Sequence, residues 1–296
     1  MNWSLLIRLP CTMPVSLLNP DLHCHSVFSD GVLTPAQLAE RAKKNGVDLW
    51  ALTDHDEISG IAAARAAARD CDLRFVAGVE VSVTWAGKTV HIVGLNVDET
   101  NAALVDGLAK TRSGRERRAQ DMSDDLARRA GISGAYQGAL KYVGNPDLIS
   151  RSHFARYLME IGVCDSVSEV FKHYLADGKP GFVPHRWATL AEAVSWIRGA
   201  GGLAVIAHPG RYDLSPVGFD SLFREFRSYG GAAIETITGS HTPDQYDEYA
   251  AIANQYGFLA SRGSDFHSPD DEGIDIGKLP GLPVSSKPVW GQWFAT

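Results

Sequence analysis

The sequence predicts an α/β architecture, a seven-stranded β/α barrel left incomplete. Three observations predict it. Short apolar runs alternate with helical stretches on both sides of a central segment. Residues able to bind metal or move protons stand at or near the C-terminal ends of those runs, where β/α barrels build their sites. The alternation lapses between residues 101 and 187, which read as an inserted helical cap. An open doubly wound sheet competes with this reading, because its crevice lies at the same strand ends.

In the first run, Asp21-Leu22-His23-Cys24-His25-Ser26, the two histidines stand two residues apart. On an extended chain both point to one face while Cys24 points away. Asp30-Gly31 follows in the loop. Thr34 caps and Pro35 opens a helix over 35–45, and Gly46 stops it. Residues 49–53, Leu-Trp-Ala-Leu-Thr, form a buried strand ending in Asp54-His55-Asp56. An Ala-rich helix over 58–70 leads to a strand over 75–83 with Glu80 among apolar neighbours. A turn at 85–88 and a strand over 89–97 bearing His91 complete this half.

The rhythm resumes with a helix over 190–200 and a strand over 203–207 that ends in His208-Pro209. A helix over 219–229, a strand over 232–238 containing Glu235 and a helix over 243–256 stopped by Gly257 come next. The last strand, 258–261, leads into Gly263-Ser264-Asp265-Phe266-His267. Such alternation argues for a largely parallel sheet with right-handed crossovers.

The central segment reads as a charged helix over 102–126 followed by helices over 148–161 and 167–175. Arg112, Arg115, Arg117 and Arg118 read as solvent-facing residues of an amphipathic helix. The division is therefore a barrel over 19–100 and 188–296, a cap over 101–187 and an N-terminal extension over 1–18. Met13 is the expected start, because Arg8, Pro10 and Pro14 break up the preceding residues and no basic leader is present. The tail over 277–296, rich in Gly, Pro and Trp, is expected to wrap the barrel.

Composition narrows the class. With 45% hydrophobic and 21% charged residues among 296, a sizeable core is available and disorder is disfavoured. A net charge of −7 argues against a general nucleic-acid coat protein. The charge is uneven: residues 101–187 hold 13 Lys and Arg against 10 Asp and Glu, which leaves 15 and 25 for the rest. An acidic body with a mildly basic segment suits a metal enzyme with an anionic substrate, and scattered charge on solvated helices accounts for it equally well. The four cysteines form no C-x-x-C and no apolar run spans a membrane, so a reducing, cytoplasmic setting is expected. Serine-hydrolase, Walker A and Rossmann fingerprints are missing.

The candidate ligands are His23, His25, Asp30, His55, Glu80, His91, His208, Asp265 and His267. Imidazoles and carboxylates without a thiolate suit zinc, manganese or iron. Any one of them is readily a structural residue. Together at one barrel mouth they would be costly to bury without cations. Nine are too many for one ion, and Glu80 is suited to bridge two.

The runs D-L-H-C-H-S…S-D-G, A-L-T-D-H-D, G-V-E-V-S, V-H-I-V-G, I-A-H-P and G-S-D-F-H resemble the successive motifs of the PHP (polymerase and histidinol phosphatase) superfamily, over residues 20–97 and 203–267. The resemblance implies a distorted seven-stranded barrel with three divalent ions, manganese foremost and zinc or iron as alternatives. It implies that His23, His25, Glu80 and Asp265 hold the first ion, Asp30, His55 and His267 the second, and Glu80, His91 and His208 the third. Asp54 and Asp56 would stand behind them, Asp54 orienting a ligand histidine.

In the cap, Gly144-Asn145-Pro146, Ile149 to Arg156 and Gly178 to Pro184 resemble the branch of 3′,5′-nucleoside bisphosphate phosphatases and 5′→3′ exoribonucleases. That implies hydrolysis of a 3′ phosphate ester, or attack on short 5′-phosphorylated RNA, by a hydroxide held between metals. A phosphatase for another metabolite, such as histidinol phosphate, and a non-catalytic metal-binding module are the alternatives. Arg151, His153 and Lys179 are the expected phosphate-binding groups, followed by Arg156, His185 and Arg211. Arg151 would stabilise the transferring group, and His153 or His208 would protonate the leaving oxygen. No membrane or protein partner is expected.

Overall fold

Seven strands lie in one sheet in the order in which the chain makes them. The computed structural model describes residues 18–270 and 273–293, so the expected start at Met13 lies outside the described residues. Strand β1 (Pro20–Asp21), helix α1 (Pro35–Lys44), β2 (Leu49–Leu52), α2 (Ile61–Asp70) and β3 (Arg74–Trp85) form a parallel run. Ala86 and Gly87, with φ of 47° and 77°, then turn the chain directly back into β4 (Lys88–Leu95). Two left-handed residues make a turn whose twist matches that of a hairpin. Strand β4 is consequently antiparallel to both neighbours.

Beyond the central segment come α8 (Leu190–Gly199), β5 (Leu203–Ile206), α9 (Pro216–Ser228), β6 (Ala233–Thr238), α10 (Pro243–Tyr256) and β7 (Leu259–Gly263). Strands β5, β6 and β7 are parallel. Hydrogen bonds from Leu22 N to Arg262 O (3.0 Å), Asp265 N to His23 O (2.8 Å) and His25 N to Phe266 O (2.9 Å) join the last strand to the first. The sheet therefore curls into a nearly closed barrel, and the open doubly wound alternative is excluded. Regular strand β1 is only two residues long, yet sheet pairing resumes at Cys24, which bridges Phe266.

Alternation sorts each strand into two faces. Trp50, Leu52, Val79, Val81, Ile92, Ile206 and Ile234 pack outward with the helices. Leu49, Ala51, Val76, Val93, Leu95, Val205 and Ala233 fill the interior, together with Val289, Trp290 and Trp293 of the tail. The expected wrapping tail thus contributes bulk to the core. Continuing each inward face by steps of two reaches His55 from Ala51, Glu80 from Val76, His91 from Val93 and Glu235 from Ala233. Strand parity alone converts an apolar lower layer into a polar upper one.

The helix expected over 102–126 is two helices, α3 (Ala102–Arg112) and α4 (Arg115–Ala130), broken at Ser113-Gly114. Helix α3 belongs with the barrel: Leu104 and Leu108 join the outward core and Gly107 lies against Trp196 of α8. Helix α4 instead packs with α5 (Ala135–Leu140), α6 (Arg151–Glu160), α7 (Val167–Val170) and a π-helical turn, Phe171–Leu175. Their core, including Met122, Leu126, Phe154, Leu158 and Leu175, is separate from the barrel's.

At the seam between the first and last strands, a Cβ on Gly263 would collide with His23, whose backbone N would lie only 2.6 Å away. Gly263→Ala is therefore expected to destabilise the fold by about 1–3 kcal/mol. Denaturant unfolding should show a lower midpoint with an unchanged slope; an unchanged midpoint would mean that the seam yields freely.

Candidate metal centre

Glu80 projects from β3 into the barrel mouth with both oxygens surrounded by imidazoles. Its Oε1 lies 3.0 Å from His91 Nδ1, 3.0 Å from His208 Nε2 and 3.3 Å from His23 Nε2. Its Oε2 lies 2.8 Å from His55 Nδ1 and 3.4 Å from His25 Nε2. Asp265 Oδ1 approaches His25 and His23 at 3.2 and 3.4 Å. Asp30 Oδ1 stands 3.4 Å from His267 Nε2 and 3.9 Å from both His25 and His55. All nine sequence candidates converge.

The residues present fit divalent cations. Donor atoms of His23, His25, Glu80 and Asp265 lie within 4.8 Å of one another, as do those of His25, Asp30, His55 and His267, and those of His55, Glu80 and His91. His25 and His55 thus each reach two groups, where the sequence reading gave each one, and in the third group His55 stands where that reading put His208. Among the described residues, Asp30 Oδ1 and His208 Nδ1 are buried without a hydrogen-bond partner, and Glu80 Oε2 and His55 Nδ1, though 2.8 Å apart, are not aligned for one. Such orphaned atoms are costly unless something else satisfies them.

The electrostatics divide the imidazoles: against burial, Glu235 and Glu80 raise His23 and Asp30 pushes His267 up to about 9, so a proton there would have to give way to an ion. Burial opposes charge on Glu80, yet His55, His91 and His23 outweigh it and hold the carboxyl well below its usual range. Burial likewise opposes charge on Asp30, and His55 and His267 overcome it. Burial, reinforced by His267 and His55, pushes His25 down to about 3, and burial with Arg211 does the same to His208. Both are thereby neutral imidazoles, the form that ligates metal.

Three acids stand behind the cluster. Asp54 accepts from Ser26 N and Oγ, both at 2.7 Å, and from Ser29 Oγ at 2.6 Å. It touches no ligand histidine; Ser29 Oγ, 3.5 Å from His25 Nδ1, intervenes. Asp56, at φ 51°, accepts from Ser82 N (2.7 Å) and Oγ (2.9 Å) and pairs with Arg115. Glu235 was missed as a functional residue. Its Oε1 lies 2.7 Å from His23 Nδ1 and its Oε2 accepts from His208 N at 2.6 Å. The available signal was a lone acid in the otherwise uncharged Ala-Ile-Glu-Thr-Ile strand.

A cavity of about 110 Å³ opens over the cluster itself: Asp30, His55, His91, His208, Asp265 and His267 line it on one side, and Arg115, Arg118, Arg151 and Arg211 on the other. Two of these arginines correct the solvent-facing reading: Arg115 and Arg118 are 5% and 8% exposed. Arg115 is held by Asp56, and its guanidinium lies 4.6 Å from the Trp187 ring centroid. Arg118 donates Nε to Val183 O at 3.0 Å. Burial, then the charges of Arg151 and Arg115, push Arg118 down to about 9; burial, Arg211 and Arg115 push Arg151 down to about 10. Clustered guanidinium groups repel one another, and an anion relieves that repulsion. Arg117 is exposed, while Arg112 donates to Asp56 O at 2.5 Å. Arg211 donates to Asp265 Oδ2 at 2.7 Å.

The other expected contacts stand elsewhere. His153 is fully buried outside the cavity lining. As the third residue of α6 it completes a capping box, its Nδ1 accepting from Ser150 N at 3.0 Å. Ser150 Oγ in turn donates to Asp30 Oδ2 at 3.1 Å, and Arg156 donates to Asp30 O. His208 is poorly suited to protonate anything, being neutral with Nε2 against Glu80. Lys179 is exposed outside the lining, and His185 packs edge-on against Trp187 at 4.1 Å.

Burial pushes His153 down to about 4 from its ordinary 6.5; Asp30 opposes the shift, and Arg156 and Arg115 add to it. Protonation therefore favours the unfolded chain. The stability involved is fully present above about 6.5 and is lost as pH falls towards 4, about 3 kcal/mol in all. His153→Gln, which keeps an acceptor, is expected to flatten the stability–pH curve in that window. Denaturant titrations from pH 7 to 4 would check this, and an unaltered curve would refute it.

Residues 21–176 match the PHP domain family. A 3′,5′-nucleoside bisphosphate phosphatase from Chromobacterium violaceum is 47% identical over 93% of this chain and 96% of its own length. A 5′-3′ exoribonuclease from Haemophilus influenzae is 42% identical over 92% of this chain and 98% of its own. A solved structure of an amidohydrolase from Chromobacterium violaceum, with sulfate bound, superposes with a TM-score of 0.90 at 47% identity, covering 93% of this chain and 95% of that one.

Proposed function

On the premise that the chain belongs to the PHP domain family, we propose that it is a metal-dependent phosphoesterase. Its substrates would be 3′,5′-nucleoside bisphosphates, which lose the 3′ phosphate, and short 5′-phosphorylated RNA. One observation carries the substrate: Arg118 and Arg151 line the same cavity as the ligand cluster and, among the described residues, take carbonyl oxygens and not carboxylates as their hydrogen-bond partners. A ligand cluster for one phosphoryl group and unneutralised cations for a second suit a substrate with two phosphates, such as the one named for the Chromobacterium relative. The cavity, about 110 Å³, is smaller than the roughly 300–1,000 Å³ of pockets that enclose a whole ligand. Lined by ligands and arginines alike, it suits the phosphorylated end of a substrate, with the nucleoside spanning the mouth.

We assign three divalent ions, Mn²⁺ first and Zn²⁺ or Fe²⁺ as alternatives. His23, His25, Glu80 and Asp265 would hold one, Asp30, His55 and His267 another, and Glu80, His91 and His208 the third. When bound, the ions would activate water near neutral pH and offset charge on the phosphoryl oxygens. Arg151 and Arg118 would anchor the distal phosphate, with a planar fork suited to two parallel hydrogen bonds. Asp56 would hold Arg115 at the cavity edge. Lys179, His185, Arg156 and His153 are left out of the contact set on their positions. A cytoplasmic setting fits the free thiols of Cys24, Cys71 and Cys164, and among the described residues no helix is long and apolar enough to cross a membrane.

Turnover of 3′,5′-adenosine bisphosphate, 3′-AMP, histidinol phosphate and a 5′-phosphorylated oligoribonucleotide tests the reading. The bisphosphate and the oligonucleotide are expected to lead, with AMP released from the former. Equal rates with 3′-AMP would remove the anchoring role, and preference for histidinol phosphate would replace the substrate class. Arg151→Ala should raise KM roughly 10- to 100-fold with a smaller change in kcat, the scale of a lost charged hydrogen bond. Lys179→Ala should leave both unchanged.

Chelation should abolish turnover and lower Tm, because the ions bind the folded chain in preference to the unfolded one. Readdition of Mn²⁺ should restore both. A purified protein that takes up no ion from Mn²⁺, Zn²⁺ or Fe²⁺ would leave only a non-catalytic module.

A further inference from the structure

We infer that Glu235 is the positioning residue that sets two metal ligands at once, fixing the ring tautomer of His23 and the backbone of His208. Glu235 is 1% exposed on β6, and its two oxygens have different duties. The Oε2 atom lies 2.6 Å from the backbone N of His208, which can only donate. The Oε1 atom lies 2.7 Å from His23 Nδ1. With Glu235 ionised, that bond places the proton on Nδ1 and leaves the Nε2 lone pair free.

His23 Nε2 faces the cluster. It lies 3.2 Å from His25 Nε2, 3.3 Å from Glu80 Oε1 and 3.4 Å from Asp265 Oδ1, and only an unprotonated nitrogen there can ligate a cation. The opposite tautomer would put a proton where the ion must sit.

The bond to His208 addresses a different difficulty. His208 has φ of 29°, uncommon for a residue with a side chain and held only when its surroundings over-determine it. This conformation breaks the alternation of β5, and Nε2 lies 3.0 Å from Glu80 Oε1. The Glu235 carboxylate holds the N–H of that strained residue. Further along the same loop, Gly210 N donates to His241 Nε2 at 3.0 Å, and the other ring nitrogen of His241 bonds Thr236 O at 3.1 Å. The strand that carries Glu235 therefore pins the His208 loop at two points. One carboxylate thus links ligands belonging to different ion groups, so its loss affects ion binding before it affects substrate.

The inference rests on the metal reading and is independent of the substrate. Its test is ion binding to the full chain, wild type against Glu235→Gln and Glu235→Ala, by competition with a chromophoric chelator for Mn²⁺ and Zn²⁺. Loss of an outer carboxylate of this kind typically weakens a metal site 10- to 100-fold. Glu235→Ala is expected to lose that much affinity for at least one ion. Glu235→Gln, which can accept from only one of the two donors, should fall between it and wild type.

Long-range ¹H–¹⁵N spectra of the histidine rings give a second readout that folding alone would not move. Compared in the same metal-free state, the Nδ1–H of His23 is expected to be held in wild type and lost from part of the population in the Gln variant. Should the Ala variant fail to fold, the Gln variant and the spectra decide. Ion affinities that match wild type in Glu235→Gln, or a His23 ring carrying its proton on Nε2 in the loaded wild type, would overturn the inference. A wild type that binds no ion would overturn the metal reading and this one together.

Discussion

The carboxylate of Glu80 sits at the centre of the barrel mouth with imidazoles from the first, second, fourth and fifth strand ends around it. An ionised group withdrawn from water loses several kcal/mol of solvation that its surroundings must return. At Glu80 the return comes from convergent nitrogen donors and, when bound, from divalent cations. The rest of the upper barrel serves that constraint. Each inward strand face is apolar where it packs on Trp290 and Trp293 and polar where it meets Glu80. The hairpin between β3 and β4 brings His91 to the same level, pairing it with Ser82, two residues beyond Glu80.

The cap is registered against this centre through backbone and carboxylate contacts of the ligand loops. Ser150 and Arg156 of the cap hold Asp30 by its side chain and carbonyl. Arg112 and Arg115 hold Asp56, the residue after His55. Arg115 and Arg211 are thus placed by Asp56 and Asp265 of the ligand loops, while Arg118 and Arg151 are held by the cap carbonyls of Val183 and Leu175. These buried, multiply bonded pairs differ in kind from exposed ones such as Arg224–Asp220, which contribute little. Substrate positioning to within an ångström is what such coupling can provide.

Reading arginines and histidines from sequence was less reliable than reading strands. Arg115 and Arg118 look like solvated residues of a charged helix because helical periodicity reports only which residues share a face. That this face meets Trp187 and Asp56 is a fact about distant chain. His153 suggested chemistry because it follows Arg151 in a motif-like run. Its ring instead completes a helix cap, a role that depends on where α6 begins. Glu235 went unassigned because its partners are 212 and 27 residues away.

The sequence by itself determined the strands, their order and the nine ligand candidates. Alternation is a local property of the chain, and a strand end is where an apolar run stops. Family resemblance then grouped the ligands before any geometry was available. Only the tertiary structure decided closure, because the bonds between Leu22 and Arg262 and between Asp265 and His23 join residues more than two hundred apart. It also decided which cations face the cavity and which acid holds His23 and His208. Burial and charge pairing are set by neighbours in space, and spacing along the chain carries no record of them.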